Sequence, residues 1–316
     1  MSMTEATRSP RVSVVIPCCN AEHFIGEAVE SALSQSLPPA EVIVVDDGSN
    51  DESARVAASF GPSVRVVSIA HAGVGAARNA GLAAAQHDLV AWLDADDVWE
   101  PGKLAGQVPL FDRRDVGLSY GQARRFGART ISAPWPVDPP DGDIFERLYL
   151  QRNFIPTSTV IVRRQALIDA GGFDAAVAPA EDVDAWLRVA AGWSVAALSR
   201  PLCRYRVHAN QLSRNHARMI RCGLQVREKL AGEFERRTGV SAGRRRQLVA
   251  KIFLDEVSRL ISTRDLPRAR TVSSVLQDAF AADAPELRRA IARKQLIAAL
   301  PKQVFWVRDA VSRLFA

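Results

Sequence analysis

The sequence feature that most constrains the fold is a repeated pattern of short apolar runs that end in polar loops. Val12 to Ile16, Glu41 to Val45 and Leu89 to Leu93 each have the length and apolar character of a buried strand. An amphipathic helix is predicted between the first two runs, from Ala21 to Ser34, with Asn20 as its N-cap. Strands that alternate with helices predict an α/β fold with a mostly parallel, Rossmann-like sheet flanked by helices.

The loops that follow these three runs are rich in side chains that carry oxygen atoms. They comprise residues 17–20, 46–51 and 94–97. In open parallel sheets, ligands bind beyond the carboxyl ends of the strands. We therefore expect the three loops to meet at one edge of the sheet and to form the binding site.

Asp94 and Asp96 are candidate metal ligands. If the chain stays extended through them, both carboxylates lie on one face of the strand, about 6 to 7 Å apart. Such carboxylates suit Mg²⁺ or Mn²⁺, which commonly bind one or two protein carboxylates together with substrate phosphates. The alternative is that Asp94, Asp96 and Asp97 only cap a helix that begins near Pro101.

A third strand is predicted from Val64 to Val67, followed by a helix from about Gly75 to Ala85. Gly73 and Gly75 match part of a dinucleotide-binding fingerprint, but Arg78 occupies the third glycine position, so the match is weak. We expect Arg78 to reach an anionic ligand, because a guanidinium forms forked contacts with phosphates and carboxylates. A surface salt bridge is the alternative.

The pattern loosens after a strand predicted from Val116 to Tyr120. Residues 127–142 contain four prolines and little periodicity, which predicts a loop or a flap on the acceptor side. Residues 198–207 are predicted to be extended and to deliver His208 to the end of the core domain. His208 is a candidate metal or phosphate ligand, with ordinary packing as the alternative, and Arg206 is a candidate supporting residue.

A second acidic cluster begins at Glu181. Glu181 and Asp182 stand at the predicted N-terminus of a helix whose buried side includes Trp186. Acidic residues favour the first turn of any helix, so capping is the alternative to a catalytic role.

Length and composition predict one or two globular domains, because 316 residues with 47% hydrophobic content can bury a large core. We place the boundary between a core domain of residues 1–215 and a helical region of residues 216–316. No apolar run approaches the roughly 20 residues of a membrane span, and the first residues lack the apolar segment of a signal peptide. The four cysteines have neither metal-ligand nor disulfide spacing. A cytoplasmic location is therefore expected.

The charge is distributed unevenly along the chain. Residues 201–316 contain 24 Lys and Arg against 10 Asp and Glu, and residues 1–200 contain 17 against 25, which gives net charges of +14 and −8. The basic part suits an anionic membrane surface or a set of solvated helices. Helices are predicted at 224–236, 247–262, 266–280 and 285–299. Residues 301–316 predict a basic amphipathic helix that contacts a membrane or packs on the preceding helices or a second subunit.

Several of these segments together resemble the inverting family 2 glycosyltransferases of the GT-A fold. The resemblance covers about Val12 to Ser213. It rests on five segments in the family's order: Val-Ser-Val-Val-Ile-Pro-Cys-Cys-Asn (12–20), Val-Val-Asp-Asp-Gly-Ser-Asn-Asp (44–51), Gly-Val-Gly-Ala-Ala-Arg-Asn-Ala-Gly (73–81), Asp-Ala-Asp-Asp (94–97) and Glu-Asp-Val-Asp-Ala-Trp (181–186).

The resemblance implies roles for individual residues. Asp47 would contact the nucleotide base, Asp94 the ribose or the metal, and Asp96 the metal, while Asp182 would be the catalytic base. The remaining candidates for the nucleotide-sugar site are Pro17, Asn20, Gly75 and Arg78. The implied reaction is metal-dependent transfer, with inversion, from a nucleoside-diphosphate sugar, with a uridine or thymidine base favoured. A saccharide or lipid-linked acceptor and cell-surface polysaccharide or glycolipid assembly are implied as well.

The sequence departs from the family at Cys19, where an aromatic residue often stands, and it lacks the Gln-x-x-Arg-Trp segment and membrane spans of processive members. Two other functions are alternatives. A nucleotidyltransferase would need a glycine-rich, lysine-bearing phosphate loop, which residues 17–26 do not supply. A non-catalytic binding module would act through the basic C-terminal region. No nucleic-acid partner is expected, and a homo-oligomer is left open.

Overall fold

A computed structural model of the chain describes residues 11–127, 131–208, 211, 215–283 and 285–299, without the side chains of residues 131, 132, 286 and 299. The chain divides into two compact units. The first comprises Met1–Leu148 and Asn153–Gln211, and the second comprises Tyr149–Arg152 and Leu212–Ala316. No helix in the described residues is long and apolar enough to cross a membrane.

The first unit is built on one mixed sheet. Its strands within the described residues are β1 (Val12–Cys18), β2 (Glu41–Asp47), β3 (Arg65–Ile69), β4 (Leu89–Trp92), β5 (Val98–Trp99), β6 (Val116–Gly127), β7 (Ile131–Trp135), β8 (Ile161–Arg163) and β9 (Ser194–Val207). The spatial order is β3-β2-β1-β4-β8-β6-β9-β5, with β7 paired to β6. The predicted α/β class is confirmed. The sheet is parallel from β3 to β4, and antiparallel pairing enters at β8, β7 and β5.

Helices and 3₁₀ turns connect the strands of this sheet. The helices before the second unit are α1 (Ile25–Leu33), α2 (Ser53–Ala58), α3 (Val74–Ala84), α4 (Lys103–Gln107), α5 (Phe145–Tyr149), α6 (Arg164–Asp169) and α7 (Glu181–Gly192). Helix α3 lies close against β1 at Gly81, where an added Cβ atom would come within 2.2 Å of the Val15 side chain. This close approach fixes where the start of α3, with Arg78, stands above the sheet.

The first strand and helix differ from the prediction at their boundary. Strand β1 continues through Pro17, which pairs with Val45, and ends at Cys18. Helix α1 begins at Ile25, and Asn20 is not its N-cap. Asn20 has a left-handed backbone (φ 50°), and its side chain accepts a hydrogen bond from the main-chain N–H of Asn50 at 2.9 Å. The side chain predicted to cap a helix therefore joins two loops instead.

The extended geometry predicted for residues 94–96 is wrong. Strand β4 ends at Trp92, and residues 94–97 form a turn in which the Asp97 N–H donates to the Asp94 carbonyl at 3.0 Å. The turn reverses the chain into β5, which pairs antiparallel with β9. The capping alternative is wrong as well, because α4 begins with Gly102 at its N-cap and without a side-chain cap.

The segment predicted as a loop at 127–142 contains strand structure. Strand β6 runs on to Gly127, and β7 pairs with it, with Ala123 opposite Trp135. The Arg125 guanidinium lies over the Trp135 ring, 5.7 Å from its centroid. Pairing with a neighbouring strand therefore supplies order that the local sequence, rich in proline, does not predict.

The second unit is helical, as predicted for the C-terminal region. Its helices in the described residues are α8 (His216–Lys229), α9 (Ala231–Thr238), α10 (Ala242–Ser262), α11 (Leu266–Ala279) and α12 (Pro285–Ala299). The single helix predicted at 224–236 is two helices, α8 and α9. The amphipathic helix predicted at 301–316 lies outside the described residues.

Much of the basic charge of this unit is paired internally. Arg245, only 4% exposed, contacts the carboxylates of Glu228 and Glu235. Arg246 pairs with Asp283 at 2.7 Å. These contacts favour a structural role for a good part of the basic charge.

Candidate functional site

The loops after β1 and β2 are joined by hydrogen bonds at the carboxyl edge of the sheet. The Asn20 N–H donates to the Ser49 hydroxyl at 3.0 Å, and the Asn20 side chain accepts from the Asn50 N–H. The Glu22 N–H donates to the Asp51 carboxylate at 3.1 Å. Pro17 is buried in β1 immediately before this junction. The two predicted loops thus form one surface.

Asp47, at the end of β2, holds the loop that precedes α3. Its carboxylate accepts hydrogen bonds from the N–H groups of Ala72 at 2.7 Å and Gly73 at 2.9 Å. His71 Nδ1 lies 3.1 Å from the same carboxylate. The main chain at Gly73 has φ 90°, which lies in the left-handed region that favours glycine. A glycine at this position therefore allows the loop to bring its N–H groups to the Asp47 carboxylate. The predicted base contact is therefore a buried carboxylate beside an exposed histidine.

Gly75 lies two residues further along, where α3 comes close to the 3₁₀ turn Ala175–Val177. A Cβ atom at Gly75 would stand 3.0 Å from the Ala175 Cα atom. The absence of a side chain at this position thus permits close packing of two backbones. The dinucleotide-binding fingerprint did not predict this packing of Gly75 against Ala175.

Arg78 links the two acidic clusters. Its guanidinium donates to Asp94 at 2.8 Å and also to Glu181, and the residue is only 4% exposed. Burial disfavours the charge, but the carboxylates of Asp94 and Glu181 raise the pKa of Arg78 above its ordinary value. Arg78 therefore forms salt bridges, as in the alternative, but its guanidinium is buried and not at the surface. The expected contact of Arg78 with an anionic ligand stays a prediction. Segments separated by about a hundred residues of chain meet at this side chain.

The Asp94–Asp97 turn is held by hydrogen bonds to Ser158 and Arg206. The Ser158 hydroxyl accepts from the Asp94 N–H at 3.1 Å and donates to the Asp97 carboxylate at 2.6 Å. Asp97 also accepts from the Arg206 N–H at 2.9 Å, and the Arg206 side chain donates to the Asp96 carbonyl at 2.8 Å. Arg206 therefore positions the turn through both its main-chain N–H and its guanidinium, while Asp97 is buried and serves as an internal support.

In the described residues, Asp94, Asp96 and His208 do not place three ligand atoms within 4.8 Å of one another, although their side chains are of the kinds that bind divalent cations. Burial, and then the neighbouring charge of Asp94, raise the pKa of Asp96. His208 Nε2 lies 2.8 Å from the Asp96 carboxylate, and both side chains are partly exposed. A bound cation relieves the repulsion between such carboxylates, and oxygen donors are the ligands that Mg²⁺ and Mn²⁺ prefer. Asp94 and Asp96 are the candidate ligands, with His208 beside them.

Three carboxylates at the start of α7 have different surroundings. Glu181 is 3% exposed and pairs with Arg78, and Asp184 is fully buried and pairs with Arg188. Asp182 is only partly buried and accepts hydrogen bonds from Thr157 Oγ1 at 2.8 Å and from Asn153 at 3.3 Å. Burial raises the pKa of Asp182, although the positive charge of Arg78 opposes the rise. Asp182 is thus the most exposed residue of the three.

Trp186 supports this arrangement from the core. It is fully buried, and its ring meets Phe173 edge-on, 5.6 Å between centroids. The Arg78 guanidinium in turn lies 5.5 Å from the Phe173 ring centroid. Trp186 therefore supports the site through Phe173.

Four residues of the site were not predicted from the sequence: Asn153, Thr157, Ser158 and, as an internal support, Asp97. The 3₁₀ turn Thr157–Thr159 connects both acidic clusters, because Thr157 holds Asp182 and Ser158 holds the Asp94–Asp97 turn. Neutral side chains far apart in the chain carry no charge pattern. The available signal was the run of three hydroxyl residues directly before the apolar residues 160–162.

Comparison with known proteins identifies similar sequences and structures. The profile described as "Glycosyl transferase family 2" matches residues 13–171. An uncharacterized glycosyltransferase of Rickettsia conorii is 31% identical over 186 residues, which is 56% of this chain and 31% of that protein. The chain thus spans about a third of that relative's length. The UDP-Glc:alpha-D-GlcNAc-diphosphoundecaprenol beta-1,3-glucosyltransferase WfgD of Escherichia coli is 27% identical over 65% of this chain and 80% of its own length.

Two solved structures share the fold. TarS of S. aureus, in complex with UDP-GlcNAc, superposes with a TM-score of 0.66 at 17% identity, covering 91% of this chain and 89% of that one. The mannosyltransferase PcManGT of Pyrobaculum calidifontis, in complex with GDP-Man and Mn²⁺, gives 0.58 at 20% identity, covering 96% and 85%. These likenesses show that the fold is that of known glycosyltransferases, as the sequence predicts.

Proposed function

The chain belongs to glycosyl transferase family 2, and we propose that it transfers a sugar, with inversion, from a nucleoside-diphosphate sugar to a hydroxyl acceptor. The observation that carries this proposal is the Arg78 bridge between Asp94 and Glu181. It brings the turn that would bind the donor diphosphate next to Asp182, the most exposed of the three acidic residues at the start of α7. A displacement reaction requires such a pair, with a binding group on the leaving side and a base on the attacking side.

The nucleotide would bind along the joined loops after β1 and β2. Asp47 ends this surface, and each carboxylate oxygen retains acceptor capacity beside the hydrogen bond from the main chain. An imide N–H of uracil or thymine can donate to it, which supports a UDP- or dTDP-sugar. The names of the relatives support a nucleotide sugar in general, because they include UDP-Glc, UDP-GlcNAc and GDP-Man.

Asp94 and Asp96 would hold the divalent cation, Mn²⁺ or Mg²⁺, with His208 in contact with Asp96. When bound, such an ion neutralises the negative charge that develops on the departing diphosphate. Arg206 and Ser158 keep the turn in place through hydrogen bonds to its main chain. The surrounding chain thus fixes the two carboxylates before any ligand arrives.

Asp182 would act as the general base. Its carboxylate takes the proton of the acceptor hydroxyl, the oxygen forms a bond to the anomeric carbon, and the bond from that carbon to the diphosphate oxygen breaks. Thr157 and Asn153 orient the carboxylate by hydrogen bonds. Because attack and departure occur on opposite faces of the sugar, the configuration inverts.

We propose a saccharide or a lipid-linked saccharide as acceptor, in cell-surface polysaccharide or glycolipid assembly. The E. coli relative, whose name specifies a diphosphoundecaprenol-linked GlcNAc acceptor, supports this class. A cytoplasmic location, peripheral contact with the inner face of the membrane and self-association are parts of the same proposal. Arg245 and Arg246 of the second unit are already paired with carboxylates. This pairing favours the transferase over a non-catalytic module that acts through basic charge.

A donor hydrolysis screen tests the proposal, because slow hydrolysis of the sugar–phosphate bond needs no acceptor. The full chain is incubated with UDP-, dTDP- and GDP-sugars, each with Mn²⁺, Mg²⁺ or a chelator, and the released nucleoside diphosphate is measured. We expect release from one base class and only with the metal. If the protein neither binds nor hydrolyses a single one of these donors, the proposal is contradicted.

A further inference from the structure

Three metal-ligating side chains meet near the base-binding end of the proposed donor site. Cys19 Sγ lies 3.7 Å from His71 Nδ1, and His71 Nδ1 lies 3.1 Å from an Asp47 carboxylate oxygen and 3.0 Å from the Asp47 carbonyl oxygen, so a bound ion would replace its hydrogen bond to that carbonyl. One ligand atom from each residue falls within 4.8 Å of the others. The three residues come from the ends of β1 and β2 and from the loop before α3.

The distances match the edges of a tetrahedral site. With a zinc–sulfur bond of about 2.3 Å and zinc–nitrogen and zinc–oxygen bonds of about 2.1 Å, the sulfur–nitrogen edge is about 3.6 Å and the nitrogen–oxygen edge about 3.4 Å. The observed 3.7 and 3.1 Å therefore differ from these edges by only a few tenths of an ångström. Two of the three edges are thus nearly formed without any ion.

The chemistry of the ligands separates this site from the acidic turn. Thiolate and imidazole ligands favour Zn²⁺ and Co²⁺, whereas the carboxylates of Asp94 and Asp96 favour Mg²⁺ and Mn²⁺. Cys19 is also the one exposed cysteine of the four, all of which lie in the described residues. Burial, and then the negative charges of Asp47, Asp46 and Asp51, raise the pKa of the Cys19 thiol, so a bound cation must displace the thiol proton. Cys19, Asp47 and His71 together therefore suit a cation of intermediate softness.

We propose that Cys19, Asp47 and His71 bind a Zn²⁺-class divalent ion, and that the bound ion excludes the nucleotide base of the donor. The second part rests on the proposed function, because it assumes that Asp47 contacts the base. Binding forms zinc–sulfur, zinc–nitrogen and zinc–oxygen bonds and releases the Cys19 thiol proton to solvent. A water molecule completes the fourth position. Zinc then acts as a reversible inhibitor of donor binding at a site distinct from the catalytic metal.

Cobalt provides a direct probe, because a thiolate bound to Co²⁺ gives a ligand-to-metal charge-transfer absorption band. We expect the full-length protein to develop this band on titration with Co²⁺, to lose it on addition of Zn²⁺, and to lack it in Cys19→Ser and His71→Ala. The matched control is Cys18→Ala, which changes the adjacent but buried cysteine and should retain the band. Asp96→Ala should also retain it, since that change affects only the acidic turn. Absence of the band in the wild type, or its persistence in a correctly folded Cys19→Ser, would overturn the metal site.

Competition tests the second part separately. The affinity for UDP, dTDP and GDP is measured by calorimetry in the presence of Mg²⁺, with and without Zn²⁺. We expect Zn²⁺ to weaken binding of the preferred nucleotide at least tenfold in the wild type and to leave its affinity in Cys19→Ser unaffected. Equal weakening in both proteins would overturn the inhibitory role. If the cobalt band forms but Zn²⁺ does not affect nucleotide binding, the metal site stands and the exclusion of the base is wrong. If no nucleotide binds with Mg²⁺ alone, the proposed function fails independently of the cobalt result.

Discussion

At the scale of single residues, the surroundings of each carboxylate at the start of α7 distinguish its role. Glu181 pairs with the buried Arg78 and Asp184 pairs with the partly exposed Arg188, whereas Asp182 is only partly buried and receives hydrogen bonds from neutral donors. The sequence places all three within four residues, and only the resemblance to the family 2 glycosyltransferases singles out Asp182. Burial and ion pairing in the folded chain make that distinction.

Replacing Asp182 with Asn tests its role as the base. The amide preserves the shape of the side chain but cannot accept the proton, so we expect transfer to fall by about 100-fold or more while nucleotide affinity is retained. Because burial raises the pKa of Asp182, the wild-type rate should decline with falling pH above the usual titration range of an aspartate. Rates are measured with the donor found by the hydrolysis screen. Asp169→Asn, at an exposed carboxylate, is the matched control, and turnover of Asp182→Asn within a few-fold of wild type would refute the assignment.

Lys103 is a buried residue that the proposed reaction does not use. Its ammonium nitrogen has no hydrogen-bond partner in the described part of the chain and lies 4.2 Å from the Trp99 ring centroid. Burial lowers the pKa of Lys103 from 10.5 to about 7. The unfolded chain therefore binds more protons than the folded one between these two values, and stability rises with pH across that window.

Lys103→Met should consequently stabilise the protein. The gain is expected to be full below about pH 7 and to shrink as the pH rises toward the unfolded pKa, where the wild-type lysine is neutral in both states. Urea denaturation at about pH 6 and about pH 9 measures it, with the exposed Lys251→Met as control. A gain independent of pH would mean that Lys103 is not neutralised by burial.

At the scale of elements, the 3₁₀ turn Thr157–Thr159 forms hydrogen bonds to both acidic clusters, to Asp182 and to the Asp94–Asp97 turn. Thr157→Val keeps the shape of the side chain and removes the hydrogen bond to Asp182. Because hydrogen bonds to charged groups contribute about 1.5–3 kcal/mol, transfer should fall about ten- to a hundred-fold. The pH profile should also move upward, since the lost bond lowers the pKa of Asp182 in the wild type. Thr271→Val, on an exposed face of α11, is the control, and an unchanged pH profile would contradict this positioning role.

The elements also show what the sequence could predict. Strands β1, β2 and β4 and helices α10 to α12 were predicted near their observed bounds, because strong apolar runs and helical periodicity determine them locally. The turn at 94–97 was predicted as extended, since the contacts with Ser158 and Arg206 that hold it come from distant parts of the chain. Strand β7 was missed for the same reason, because its partner β6 supplies its order.

At the scale of the whole molecule, the family and the fold follow from the order of five short segments, whereas the networks between them do not. The candidate residues Asp47, Arg78, Asp94, Asp96 and Asp182 could be named from the sequence. The partners of these residues, such as Thr157 and Ser158, come from other segments and became visible only in the folded chain. The charge asymmetry likewise indicated a basic region without showing that Arg245 and Arg246 are already paired.

The most direct test of the account is the affinity for the donor's nucleoside diphosphate, measured by calorimetry with and without Mn²⁺, in wild type and Asp96→Ala. We expect Mn²⁺ to strengthen binding at least tenfold in the wild type and to have no effect in Asp96→Ala, because Asp96 is a proposed ligand of the ion. Asp115→Ala, at an exposed carboxylate outside the site, should behave like the wild type. If Mn²⁺ strengthened binding equally in Asp96→Ala and the wild type, the turn at Asp94–Asp97 would not be the metal site and the account would be contradicted.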